Sequence, residues 1–206
     1  MAPHPLIDKE APSFSISDSN GETFKFPPEE GGKRVEKPIA LFFYPESGTY
    51  GCTREACQFR DALAEKEIFK RSDVLVIGVS PDLVPKQRTF VEKNKLSYPV
   101  LSDSDRTAHK AYSIGKGMFG LTDARTTFVI DQNGIVKGVM SATMNFSAHV
   151  KFVTKQLAKI QNPNAAEDKA DDSGGDQDQE DPTSPTGPSE NAEREELGKA
   201  AQAVSA

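Results

Sequence analysis

The chain has 206 residues, 36% of them hydrophobic, with 31 acidic and 25 basic side chains. Of these, 12 acidic and 3 basic residues fall in 161–206 (net −9), leaving 19 acidic and 22 basic in 1–160 (net +3). The acidity therefore belongs to the C-terminal stretch; no run reaches the ~18 to 20 apolar residues of a membrane span, and neither membrane nor nucleic-acid contact is expected.

The length suits one ordinary domain plus an extension. Residues 1–5 lack the positive region and apolar core of a secretory leader. The expectation is a reducing compartment, cytoplasmic and/or nuclear, where two close cysteines are more often catalytic than structural. His4, His109 and His149 are scattered, and two thiolates fill only half a tetrahedral site, so no metal or other cofactor is expected. The last two histidines are expected on exposed helix faces.

In chain order, Phe14-Ser15-Ile16 and Phe24-Lys25-Phe26 alternate around Ser19-Asn20-Gly21 and predict a hairpin. Residues 27–37, with two prolines and two glycines, read as a surface loop. The continuous apolar runs 39–44 and 74–80 read as strands buried on both faces. Between them, Ala62, Leu63, Ile68 and Phe69 recur at helical spacing, predicting a single helix with Cys52 near its first turn. Pro85 opens a further helix with Phe90 and Val91 inward. Residues 98–101 form an edge strand or a strand start, and Asp103-Ser104-Asp105 caps a helix reaching about Tyr112. The glycine-rich 115–120 lacks the Lys-Ser/Thr ending of a phosphate loop and reads as a connection.

Residues 127–130 and 135–140 flank Asp131-Gln132-Asn133-Gly134 as a second hairpin. Phe146, Val150, Val153, Leu157 and Ile160 mark an amphipathic helix with Ser147 as its N-cap. Hairpin, βαβα, hairpin and helix make an α/β sandwich with a mixed sheet over 1–160. From 161 onward there is no aromatic and no isoleucine, and the only large aliphatic residues are Leu197 and Val204. Residues 161–206 are therefore expected to be an acidic disordered tail.

Both cysteines lie in Tyr44-Pro45-Glu46-Ser47-Gly48-Thr49-Tyr50-Gly51-Cys52-Thr53-Arg54-Glu55-Ala56-Cys57. A cysteine at the end of a strand–loop–helix sequence meets the positive end of the helix dipole and unpaired backbone N–H groups, which favour a thiolate. Two inert buried thiols are the bland alternative.

Pro45-x-x-x-Thr49-x-x-Cys52 resembles the peroxiredoxin signature, and Cys57 five residues on is similar to the Q-type, or bacterioferritin-comigratory, class. Arg125-Thr126-Thr127-Phe128-Val129-Ile130-Asp131 resembles the arginine-bearing strand of the same family, in the same order along the chain. Tyr50-Gly51 stands where many Q-type members have Pro-Gly, which would alter the entrance to the site.

The resemblance implies a thioredoxin-like three-layer fold and a thiol peroxidase reducing hydrogen peroxide and organic hydroperoxides. It implies Cys52 as the peroxidatic residue, Cys57 as its disulfide partner and thioredoxin as reductant, in a monomer or weak dimer. Within that reading Arg125 would hold the thiolate ionised and stabilise charge on the peroxide. Thr49 would hydrogen-bond thiolate and peroxide together, and Pro45, without an N–H, would shape the pocket. Glu55, one helical turn after Cys52, would orient an arginine.

In an ideal helix residues i and i+5 are ~7.5 Å apart along the axis and ~140° around it, so their Cα atoms are ~8.6 Å apart. A disulfide requires less than ~7 Å. If both cysteines are helical when reduced, bonding them means unwinding the helix start. Two other readings stay open. A protein dithiol–disulfide oxidoreductase would be expected to carry Cys-x-x-Cys, which is absent. A redox-sensing interaction protein would be oxidised about once rather than turn over.

Overall fold

The two apolar runs become neighbouring parallel strands at the middle of a seven-stranded sheet. They are β5 (Ile39–Phe43), buried at every position, and β6 (Leu75–Ser80), paired from Ile39 with Leu75 through Phe43 with Val79. The structure is a computed structural model describing residues 3–117, 120–142 and 144–162. The expected tail, but for its first two residues, lies outside the described residues.

The first hairpin joins β1 (Phe14–Asp18) to β2 (Thr23–Phe26), and Gly21 takes a positive φ of 88° at its turn. Residues 27–37 are not wholly loop: β3 (Glu29–Glu30) and β4 (Lys33–Arg34) form a small exposed hairpin, turned by Gly31 and Gly32. The cysteine-bearing helix is also two helices. α1 (Tyr50–Glu65) ends where Lys66 adopts an extended conformation, and α2 (Glu67–Ser72) carries Ile68 and Phe69 in a new direction.

Pro85 sits in the first turn of α3 (Val84–Asn94), where a missing N–H costs nothing. β7 (Val100–Ser102) lies inside the sheet, between β6 and β1, rather than at an edge. Pro99 immediately precedes it and contributes only its carbonyl, which accepts from the Gly78 N–H. α4 (Thr107–Ala111) is capped from a distance, as Asp103 accepts from the N–H groups of Ala108 and His109. In the glycine-rich connection, β8 (Lys116–Gly117) pairs with β9 (Thr122–Asp123).

The second hairpin joins β10 (Thr126–Ile130) to β11 (Val136–Ser141). α5 (Phe146–Gln161) is capped by Asn145, whose Oδ1 accepts from the Ala148 N–H. Ser147 lies two residues past the cap position, and its hydroxyl meets the Gln58 amide instead.

The sheet order is β11-β10-β5-β6-β7-β1-β2, with β5, β6 and β7 parallel and the rest antiparallel. Period-2 alternation sends Ala40, Phe42 and Tyr44 to one face and Ile39, Leu41 and Phe43 to the other. The first face packs under α1, α2, α3 and α5; the second carries α4 and an aromatic cluster of Phe14, Phe26, Phe43, Tyr112 and Phe128. Each such fully buried ring contributes ~1.5 to 3 kcal/mol. The architecture is the three-layer α/β sandwich with a mixed sheet.

Both helix histidines are buried, contrary to the expectation of exposure. His109 bonds the capping Asp103, and His149 is wedged between α5 and β10 with no exposed surface. Among the described residues no helix is long and apolar enough to cross a membrane.

Candidate active site

Register decides which residues meet here. β10 runs antiparallel to β5 with Thr126 opposite Phe43, so Arg125 comes level with the point where β5 gives way to the 44–49 loop. That loop delivers the chain to the N-terminus of α1, with Thr49 extended at the N-cap position. Cys52 is the third helical residue, where backbone N–H groups have no intrahelical acceptor.

Cys52 is 1% exposed, and the Arg125 Nη2–H donates to its Sγ at 3.2 Å. Arg125, itself 4% exposed, is held from its other side by the Glu55 carboxylate. Glu55 lies three residues after Cys52 on the same helix face. Burial works against the arginine's charge, but Glu55 and Cys52 outweigh it and its pKa is raised. The guanidinium is thus a fixed cation shared between a carboxyl group and a sulfur.

Two residues of α5 complete the enclosure. The ring of Phe146 lies 5.0 Å from the Arg125 guanidinium, a cation–π contact. Its edge presses on Gly51 so closely that a Cβ there would stand 2.3 Å from the ring, so any larger residue at this helical position would have to displace Phe146. His149, one turn later, backs Glu55 from behind, its Nδ1 3.4 Å from Glu55 Oε1. Burial pushes the Glu55 carboxyl up to about 7, against the pull of Arg125.

The loop is braced from below. Tyr44 donates its hydroxyl to Gln87 Oε1 at 2.7 Å, Ser47 donates to the same oxygen at 2.9 Å, and Gln87 Nε2 donates to Ser80 Oγ and the Leu101 carbonyl. Asp82 accepts from the Ser47 N–H at 2.6 Å. These bonds connect the loop to α3, β6 and β7.

Of the residues singled out from sequence, Cys52 and Arg125 are brought together, with Glu55 behind them. Pro45 is half-buried in the loop. Thr49 is exposed and donates its hydroxyl to the Glu46 carbonyl at 3.0 Å, making no bond to Cys52. Cys57 is half-buried on another face of α1, with Asn94 Oδ1 3.8 Å from its sulfur. Burial pushes its thiol pKa up. Both cysteines are free and both lie within one continuous helix, the geometry in which they are too far apart to bond. Tyr50 is 72% exposed at the rim, its hydroxyl accepting from Arg54. The described residues contain no cluster of His, Cys, Asp and Glu suited to a metal.

Phe146, His149, Tyr44 and Gln87 went unrecognised as site residues in the sequence. Phe146 and His149 left a signal there, Phe146 at the head of the apolar stripe of α5 and His149 at its edge, four residues before Val153.

The AhpC/TSA family model matches residues 7–139. "Peroxiredoxin Q, chloroplastic" of Suaeda salsa is 33% identical over 149 residues, spanning 72% of this chain and 66% of that protein. The protein of the same name from Sedum lineare is 32% identical, spanning 72% of this chain and 76% of its own length. Among solved structures, peroxidoxin BcpB from Mycobacterium tuberculosis is 33% identical with a TM-score of 0.64, covering 76% of this chain and 99% of its own. The bacterioferritin comigratory protein of Xanthomonas campestris, whose structure was described for its alkyl peroxide reduction activity, is 25% identical with a TM-score of 0.59. It covers 70% of this chain and 90% of its own.

Proposed function

The chain belongs to the AhpC/TSA family, among the Q-type peroxiredoxins with their thioredoxin-like fold, and from that premise we infer that it is a thiol peroxidase working through Cys52. The observation that carries this is the Arg125 guanidinium 3.2 Å from a sulfur at a helix N-terminus. Both the guanidinium and the helix end stabilise negative charge on that sulfur.

The Cys52 thiolate attacks one oxygen of the O–O bond. An S–O bond forms, the O–O bond breaks, and the departing oxygen takes a proton from solvent to leave as water or alcohol. Sulfur gives up two electrons and becomes sulfenic acid. Arg125 spans the charge as it moves from sulfur to the departing oxygen. Thr49 turns its hydroxyl from the Glu46 carbonyl to the bound peroxide, and Pro45 shields the pocket on that side. No metal or organic cofactor takes part, since sulfur itself carries both electrons.

The Cys57 thiolate then attacks the Cys52 sulfur, an S–S bond forms, and the hydroxyl leaves with a proton as water. This requires α1 to unwind at its start, because the helical separation of ~8.6 Å exceeds disulfide reach. A thioredoxin-type dithiol returns two electrons and two protons and restores both thiols. A cytoplasmic or nuclear setting fits a pair of thiols that must be re-reduced at each turn; the plant relatives are chloroplastic by name. Hydrogen peroxide and organic hydroperoxides are the substrates, and the catalytic unit, residues 1–160, works as a monomer or weak dimer.

Peroxide consumption with a thioredoxin system tests the assignment. Cys52→Ser should consume none, and Cys57→Ser should keep one fast oxidation without turnover. Wild-type turnover in Cys57→Ser would refute the intramolecular disulfide. Failure of the wild type to consume peroxide would favour a redox sensor.

A further inference from the structure

His149 takes no part in the chemistry above, yet it is fully buried and all its ring atoms are accounted for. Its Nε2 lies 3.0 Å from the Ala142 carbonyl, which only accepts, so Nε2 carries a hydrogen. In the neutral ring Nδ1 is then a bare lone pair. It faces the Thr127 hydroxyl at 2.8 Å and Glu55 Oε1 at 3.4 Å.

Glu55 has the complementary problem. Its Oε2 is bound by Arg125, but its Oε1 is buried without a hydrogen-bond partner. With Glu55 ionised, Arg125 answers the charge through Oε2 alone, and Oε1 is left unpartnered beside a lone pair in a dry site, which is unfavourable. A single added proton resolves it: on Oε1 it faces Nδ1 at 3.4 Å, and on Nδ1 it is shared with the Thr127 oxygen at 2.8 Å while putting positive charge beside Oε1.

We propose that in the reduced enzyme Glu55 and His149 together hold one proton between Oε1 and Nδ1, and that His149 is thereby a positioning residue that leaves Arg125 to the Cys52 sulfur. This rests on Cys52 being the peroxidatic residue. Charge counting gives the reason. With the proton, the buried cluster is one thiolate, one guanidinium and a neutral pair. Without it, two anions compete for one cation.

The ionisable groups facing His149 are Glu55 from α1 and Arg125 from the segment before β10, with Cys52 beyond the arginine. Thr127 of β10 and the Ala142 carbonyl supply its neutral contacts. Burial pushes Glu55 up and His149 down, so the proton resides mainly on the carboxyl. It stays within the pair throughout catalysis and modulates the chemistry only through Arg125. As pH rises past the ionisation of Glu55 near 7, its full charge competes with the sulfur for the shared guanidinium and Cys52 oxidation slows.

The test has two readouts on the reduced full chain. The first is NMR of the Glu55 carboxyl carbon and the His149 ring nitrogens between about pH 5 and 9. One proton on the pair at the acid end, lost near neutrality, is expected. A carboxylate beside a neutral imidazole across the whole range would overturn the proposal, and needs neither a variant nor peroxidase activity.

The second is the pH profile of Cys52 oxidation by hydrogen peroxide, corrected for thiolate fraction. The wild type should fall about tenfold on the alkaline side, through partial loss of a charge-stabilising donor. Glu55→Gln, neutral at every pH, should show no fall. In His149→Gln, whose amide can donate to a carboxylate at Oε1, the fall should move at least one pH unit lower. Unchanged profiles in both variants would show His149 to be structural only. A wild type inert to peroxide would sink the peroxidase reading while leaving the NMR result standing.

Discussion

Cys52 and Cys57 share one helix five residues apart, and their surroundings differ in charge, burial and neighbours. Cys52 is 1% exposed in the first turn of α1 with a guanidinium nitrogen 3.2 Å from its sulfur. Cys57 is half-buried where helix phase turns it toward α3, faced by an amide oxygen at 3.8 Å, with burial raising its thiol pKa. Nothing in the residue type distinguishes them. The distinction comes from the helix end and from Arg125, which strand register delivers from 73 residues away. One sulfur lies where negative charge is stabilised, the other where burial favours the neutral thiol.

The largest expected change is Arg125→Ala, which removes the cation that separates the two sites. Cys52 oxidation by hydrogen peroxide, followed by stopped flow, should slow by ~10² to 10³-fold, as for loss of one preorganised charge-stabilising donor. A rate within threefold of wild type would mean the helix end alone activates the sulfur. Arg125→Lys should recover only part of the loss, since a point charge cannot hold Glu55 and Cys52 at once.

A smaller effect concerns the barrier between the sites. Gly51→Ala would gain ~0.5 to 1 kcal/mol from helix propensity. The new Cβ would stand 2.3 Å from the Phe146 ring, and such overpacking costs ~1 to 3 kcal/mol. The clash should win, loosening the first turn of α1. Amide exchange at residues 50–53 should speed up in the reduced protein, and disulfide formation with it; slower exchange would mean that Phe146 swings aside freely.

Much of this was legible in the sequence, for reasons that also mark where legibility stopped. The runs 39–44 and 74–80 read as covered strands, and Cys52 and Arg125 were found because the residues around them resemble the family's motifs. The break at Lys66 escaped because both helices on either side are apolar at the same period. The hairpins of β3 with β4 and β8 with β9 have two residues per strand, too few for any alternation. His149 was misread because a histidine at the edge of an apolar stripe looks solvated until its partners, Thr127 and Glu55, arrive from another strand and another helix. Phe146 was read as core; it covers Arg125 instead.

The most direct test is to oxidise the reduced protein with one equivalent of peroxide. Peptide mapping would locate the disulfide, and hydrogen exchange would be compared across α1 before and after. The account predicts a bond between Cys52 and Cys57 of the same chain, with exchange accelerated over residues 50–57 and little changed in β5 and β10. A disulfide between chains, or α1 equally protected in both states, would contradict it.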